Sequence, residues 1–133
     1  MIAVDTSVWV DFLRGQPTPP VKVLRELVAT KPNEVVLVDV VLTEVLRGLR
    51  EEDVQRVEQR LFAFNILRLE RIADFRAAAD LYRAARRTGM TIRSTIDCLI
   101  AAVCIREDVP LLHSDVDFDR LAKITTLRTV QSL

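Results

Sequence analysis

Four acidic residues fall where chemistry is easy to build. Asp5 directly follows the apolar run Ile2-Ala3-Val4, and Glu44 borders an apolar helical stripe. Asp97 follows Ser94-Thr95-Ile96, and Asp115 comes just after the apolar stretch 110–113, with Asp117 two residues further on. A carboxylate at the end of a buried strand loses hydration and needs a cation or several donors in return. Several carboxylates gathered in one place offer hard oxygen ligands of the kind that Mg2+ or Mn2+ takes, together with water and phosphate. The rest of the chain offers no rival chemistry. It has no cysteine–histidine cluster, no glycine-rich phosphate loop and no serine–histidine–acid set, and its single histidine, His113, reads as a packing or capping residue at a strand end.

Each acid alone also has a structural explanation. Asp5 suits a helix cap, and Glu44 suits a helix surface with Arg47 at i+3. Ser94 and Asp97 have the spacing of a capping box, and Ser114 and Asp117 repeat it. Only the combination points to a metal site.

The elements that must position these acids are legible from periodicity. Ile2–Val4 reads as a buried strand, and Thr6-Ser7 offers a cap for a helix whose apolar stripe is Val8, Trp9, Phe12 and Leu13 and which Gly15 stops. Pro17, Pro19 and Pro20 precede a second helix carrying Leu24, Leu27 and Val28. Val35–Val38 is a second strand, and Asp39 caps the helix bearing Val41, Leu42, Val45, Leu46 and Leu49. A helix over 51–64 leads to a third strand at 66–69. A long helix over 72–87, burying Phe75, Ala79 and Tyr82, is followed by Gly89. Ser94 opens a helix to about Glu107, 110–113 is a strand, 117–123 a helix and 127–130 a last strand. Strands alternating with helices imply an α/β fold, a mainly parallel sheet of about five short strands with helices on both faces. Ligands in such folds gather at the carboxyl edge of the strands, the edge where Asp5 and Asp115 fall and where the helices of Glu44 and Asp97 can begin.

Length and composition fit one compact domain over residues 1–133, without repeat or linker. The opening residues are too few and too acidic for a signal peptide, and no run approaches a membrane span. Cys98 and Cys104 lie six apart on one helix, roughly 9 Å along its axis, and read as two packed thiols in a reducing cytoplasm. The formal net charge is zero, yet sixteen of the nineteen basic residues are arginine, the better partner for phosphate. Carboxylates gathered around metal would leave the remaining surface net positive, so neutrality is compatible with a nucleic-acid substrate without pointing to one.

The segments Met1-Ile2-Ala3-Val4-Asp5-Thr6-Ser7, Thr43-Glu44-Val45-Leu46-Arg47-Gly48, Thr95-Ile96-Asp97-Cys98-Leu99-Ile100-Ala101-Ala102 and Ser114-Asp115-Val116-Asp117-Phe118 resemble, in order and separation, the four signature segments of the PIN domain. More narrowly, the chain resembles VapC-type toxins of bacterial toxin–antitoxin pairs. The resemblance implies a three-layer PIN-like fold and Mg2+- or Mn2+-dependent endonucleolytic cleavage of RNA, leaving a 5′-phosphate and a 3′-hydroxyl. It puts Asp5, Glu44, Asp97 and Asp115 on the acidic tetrad, with Asp117 as a fifth acid. Asp5, Asp97, Asp115 and Asp117 are the expected metal ligands, and Thr6 or Ser7 is the hydroxyl supporting the first acid. It also implies a cognate VapB-like antitoxin, an RNA substrate with transfer RNA among the common targets, a homodimer, no membrane partner and a cytoplasmic location.

Two expectations go beyond that pattern. Arg83, Arg86, Arg87 and Arg93 cluster before Asp97 and are candidate phosphate contacts, against the alternative of a solvated helix face. Trp9, Phe12, Leu13, Leu46 and Leu49 are candidates for a groove that takes an amphipathic antitoxin helix, with Trp9 alternatively in the core. Two other functions compete. A phosphatase with an aspartate nucleophile usually has a second aspartate two residues on, where this chain has Ser7, and an opposing lysine, of which the whole chain has three. A non-catalytic module, or a non-toxin role in RNA processing, is the remaining alternative; loss of a tetrad acid would favour the former, and none is lost.

Overall fold

The computed structural model describes residues 1–130. The elements run β1 (Ile2–Val4), α1 (Thr6–Leu13), α2 (Pro19–Thr30), a short 3-10 turn (Pro32–Glu34), β2 (Val35–Val38), α3 (Asp39–Arg47) and α4 (Glu51–Leu61). They continue with β3 (Asn65–Leu67), α5 (Ile72–Arg87), α6 (Thr95–Arg106), β4 (Leu111–Leu112), α7 (Val116–Ile124) and β5 (Thr129–Val130). All strand pairs are parallel, in the order β3-β2-β1-β4-β5.

That order contains one reversal. From β1 the chain steps to β2 and β3, then crosses back to β4 and on to β5. Right-handed crossovers in opposite directions send their helices to opposite faces of a sheet. The packing agrees: α1 lies on α2 and α3, and α3 on α4, while α5, α6 and α7 pack on one another. The carboxyl ends of β1 and β4 are therefore a topological switch point, where open α/β sheets form their ligand crevice.

Local signals account for the boundaries. Thr18 caps α2 by accepting from the Val21 amide, and Pro19 and Pro20 occupy its first two positions, where a missing N–H costs nothing. Gly15 and Gly89 follow α1 and α5 with φ of +72° and +82°, the left-handed exit that glycine makes without strain. The central strands are apolar throughout, with every residue of β2 buried, as a sheet covered on both faces requires. Both cysteines are buried free thiols whose pKa burial pushes up, to about 11 for Cys98 and about 12 for Cys104, which leaves them protonated and inert. Among the described residues no helix is long and apolar enough to cross a membrane.

Two expectations need correction. The inward face of α5 is Asp74, Ala78 and Ala85; Phe75 is half exposed, Ala79 exposed and Tyr82 only half-buried. Small residues let α5 approach α6 closely, and the larger side chains instead line a shallow groove with Thr95, Cys98 and Leu99. The N-cap positions of α1 and α3 are Asp5 and Val38, so Thr6-Ser7 and Asp39 sit inside the first turns. Of the two readings of Trp9 the core one holds: it is 1% exposed, with its ring edge-on to Phe12 and 5.2 Å from Phe64, and its indole N–H has no partner among the described residues.

Candidate active site

Two loops meet at the switch point and are stitched together. The Asp5 amide donates to the Leu112 carbonyl at 2.9 Å, and the Ser7 and Ser114 hydroxyls lie 3.0 Å apart. Asp5 thus leaves β1 beside the segment that carries Asp115 and Asp117 into α7. Glu44 comes in from α3, which starts directly after β2 at the same edge. Asp97 comes from the other helical layer, in the first turn of α6.

Asp5 is buried at the N-cap position of α1, where its side chain makes no regular cap hydrogen bond. Burial raises its pKa, partly offset by the Ser7 hydroxyl and the Thr6 and Ser7 amides, while Glu44 adds repulsion. Ser7 Oγ donates to Asp5 Oδ2 at 2.8 Å, and Thr6 Oγ1 donates to Glu44 Oε1 at 2.6 Å. The adjacent hydroxyls therefore serve two different acids. The Glu44–Arg47 pair is present but loose, at 4.0 Å with Arg47 74% exposed. A contact of that kind contributes little.

Asp97 is the electrostatic centre. Ser94 makes no side-chain cap hydrogen bond, so the capping-box spacing is not used. Burial, followed by the charges of Asp5, Asp115, Glu44 and Asp117, pushes the Asp97 carboxyl up to about 7. A carboxylate oxygen from each of Asp97, Asp115 and Asp117 lies within 4.8 Å of the others. Three hard oxygen donors converging where negative charge is already in excess fit a divalent cation of the Mg2+ or Mn2+ type. Asp5 and Glu44 stand outside this tight trio, although both are close enough to act on Asp97.

Asp115 and Asp117 differ in what holds them. Asp115 is the N-cap of α7 and accepts from the Asp117 amide at 2.9 Å. The fully buried Asp117 accepts from the Arg93 amide at 3.2 Å and from Arg120 at 3.0 Å. The Arg93 guanidinium spans both acids, 3.4 Å from Asp117 and 3.3 Å from Asp115. Fully buried His113 accepts the Asp115 amide at Nδ1, 3.1 Å, and packs on Phe118. Burial lowers the His113 pKa, which keeps the imidazole neutral and able to accept. His113 thus packs and caps, as its position suggested, and in doing so sets the backbone of Asp115.

Of the four candidate arginines, Arg93 stands apart from the other three, which lie on α5. Arg93 lies on the acids, Arg83 lines the α5–α6 groove, and Arg86 and Arg87 are exposed in the last turn of α5. Arg120 escaped the sequence reading, and Ser114 was read only for its capping-box spacing to Asp117. Arg120 carried a signal in its i+3 spacing from Asp117, whereas the Ser7–Ser114 contact joins residues 107 apart and carried none. Of the apolar groove candidates, Leu13 and Leu49 line a cleft of about 330 Å³ with Val10, Val45, Val57 and Glu44. Arg14, Arg50 and Arg56 also line it. Phe12 lines an adjoining recess, and Leu46 packs on the core.

Known proteins match this chain over nearly its whole length. The PIN domain family model matches residues 2–124. Ribonuclease VapC11 of Mycobacterium tuberculosis is 38% identical over 129 residues, 96% of each chain. Two solved structures share the fold. VapBC from Salmonella typhimurium, in a DNA-bound crystal structure, has a TM-score of 0.78 and 14% identity, with 98% of each chain covered. A toxin–antitoxin complex from Klebsiella pneumoniae has a TM-score of 0.64 and 20% identity, covering 89% of this chain and 90% of that one.

Proposed function

The chain belongs to the PIN-domain family, and from that premise we propose that it is the toxin of a toxin–antitoxin pair, a metal-dependent endoribonuclease that hydrolyses phosphodiester bonds of RNA. One observation carries the reading: Asp97, Asp115 and Asp117 converge within 4.8 Å at the switch point, with Asp5 and Glu44 acting on the same centre. The ribonuclease named among its relatives, aligned over 96% of both chains, supports the choice of substrate.

Asp97, Asp115 and Asp117 would hold Mg2+ or Mn2+, with Asp5 completing the set. What the cation supplies when bound is a water of lowered pKa and neutralisation of charge developing on the phosphate. The chain's own contribution is orientation. Ser7 turns Asp5 toward the cluster, Thr6 fixes Glu44, and His113 and Arg120 hold the Asp115–Asp117 segment. Glu44 is held through Oε1 by Thr6, and its Oε2, met only loosely by Arg47 at 4.0 Å, is left to orient water. Arg83, Arg86 and Arg87 supply phosphate contacts on the adjoining helix.

The same reading gives the protein a VapB-like antitoxin, whose amphipathic segment lies in the Leu13–Leu49 cleft with its acidic residues toward Arg14, Arg50 and Arg56. It makes residues 1–133 one PIN domain acting in the cytoplasm as a homodimer. The test is cleavage of a cellular RNA pool, transfer RNA included, with Mn2+ and with EDTA. Mn2+-dependent cuts bearing 5′-phosphates are expected, lost in both Asp97→Asn and Asp5→Asn. Cleavage that survives EDTA, or that both variants retain, refutes the assignment.

A further inference from the structure

Arg93 is attached to the acid cluster in two ways of different strength. Its backbone amide donates to Asp117 Oδ2 at 3.2 Å, immediately before the Ser94 N-cap of α6, which ties the main chain to the site. Its guanidinium reaches Asp117 at 3.4 Å and Asp115 at 3.3 Å, longer than the 2.7–2.9 Å typical of strong charge-assisted bonds. The side chain is 71% exposed, while those of Asp115 and Asp117 are 30% and 0% exposed. It therefore covers the acids from the solvent side. Asp117 does not depend on it, because Arg120 and the Arg93 amide hold that carboxylate independently. Asp115 is likewise fixed through its own α7 cap and the His113 bond to its amide.

The guanidinium thus bridges two of the three acids that converge for a cation, without being needed to place either. We propose that Arg93 is a built-in counter-cation that competes with the divalent metal for Asp115 and Asp117. Metal-free, the fork offsets the repulsion between these acids and Asp97. When a divalent ion occupies the cluster, the fork must yield, and the exposed side chain swings into solvent while the anchored amide keeps the backbone in place. Metal affinity in this chain is then set by ligand geometry and also by the cost of displacing a resident cation. The inference rests on the metal reading of Asp97, Asp115 and Asp117.

The test is Mn2+ binding to the full chain, by electron paramagnetic resonance and calorimetry, for wild type, Arg93→Gln and Arg93→Lys. Arg93→Gln removes both ion pairs of the exposed guanidinium, one of them to the buried Asp117, so its Mn2+ affinity rises roughly three- to tenfold. Arg93→Lys falls between the two, since an ammonium is a compact point charge that does not span both carboxylates as a planar fork does. Thermal melting in EDTA checks that each variant is folded. Affinity that is unchanged or weaker in folded Arg93→Gln, with wild type binding Mn2+ measurably, overturns the competition and leaves the metal site standing. A wild-type chain that binds no Mn2+ overturns both.

Discussion

Replacing Asp97 by asparagine separates what the carboxylate does for the fold from what it does for metal. Burial and four neighbouring acids raise its pKa from 3.8 to about 7. A displacement of that size corresponds to about 4 kcal/mol of penalty on the charged form. The carboxyl is only partly buried, so screening reduces the effective figure to about 1–3 kcal/mol. Below pH 3.8 the group is neutral in folded and unfolded chains alike, and asparagine gains nothing. Between 3.8 and about 7 the unfolded chain ionises while the folded one stays protonated, so wild-type stability falls progressively with pH. Above about 7 the penalty is fully present. In EDTA at pH 8, Asp97→Asn is therefore expected to be more stable than wild type by about 1–3 kcal/mol, a Tm rise of about 4–10 °C for a chain of this size. At pH 4 the difference nearly vanishes. Adding Mn2+ at pH 8 reverses the order, because wild type gains binding energy that a neutral amide gives up. Urea melts at both pH values, with EDTA and with Mn2+, decide the matter. A variant less stable than wild type in EDTA at pH 8, or a pH-independent difference, refutes the electrostatic account of the site.

Two further outcomes follow from the same geometry. Ser7→Ala removes the hydroxyl that holds Asp5; Mn2+ affinity or cleavage rate should fall about 10-fold with little change in Tm, and a wild-type rate and affinity would make that hydrogen bond incidental. Leu13→Glu with Leu49→Glu places charge in the cleft floor; co-purification of the antitoxin should be lost while RNA cleavage by the isolated chain persists, and intact pairing would move the antitoxin to another face.

How far this was legible in the sequence depends on the range of each interaction. The mainly parallel sheet, the helix order and the glycine stops follow from periodicity and turn chemistry, which act over a few residues. The positions of Asp5 and Asp115 were readable because Asp5 directly follows β1 and Asp115 comes three residues after β4. Capping boxes at Ser94 and Ser114 were not formed, because serine spacing says nothing about competing tertiary partners; Ser114 meets Ser7 instead. Trp9 and the face of α5 depend on how helices rotate against each other, which the apolar stripe constrains only to within a residue. The pairing of Arg93 with two acids more than twenty residues away lay wholly beyond local pattern.

The reversal in strand order also has a consequence for biosynthesis. β1 finds β2 early, but its other neighbour, β4, begins only at Leu111, and Asp115, Asp117 and Arg120 come later still. A nascent chain growing from the ribosome can assemble the first helical layer around β1 and β2 and still lack Asp97, Asp115 and Asp117, three of the five acids. The centre closes only when β4 slots in beside β1, a pairing of residues more than a hundred apart that forms late and slowly compared with local contacts. Truncated products ending before Leu111 carry Asp5, Glu44 and Asp97 but have no partner strand to gather them. The topology thus ties assembly of the complete acid cluster to completed synthesis of the chain.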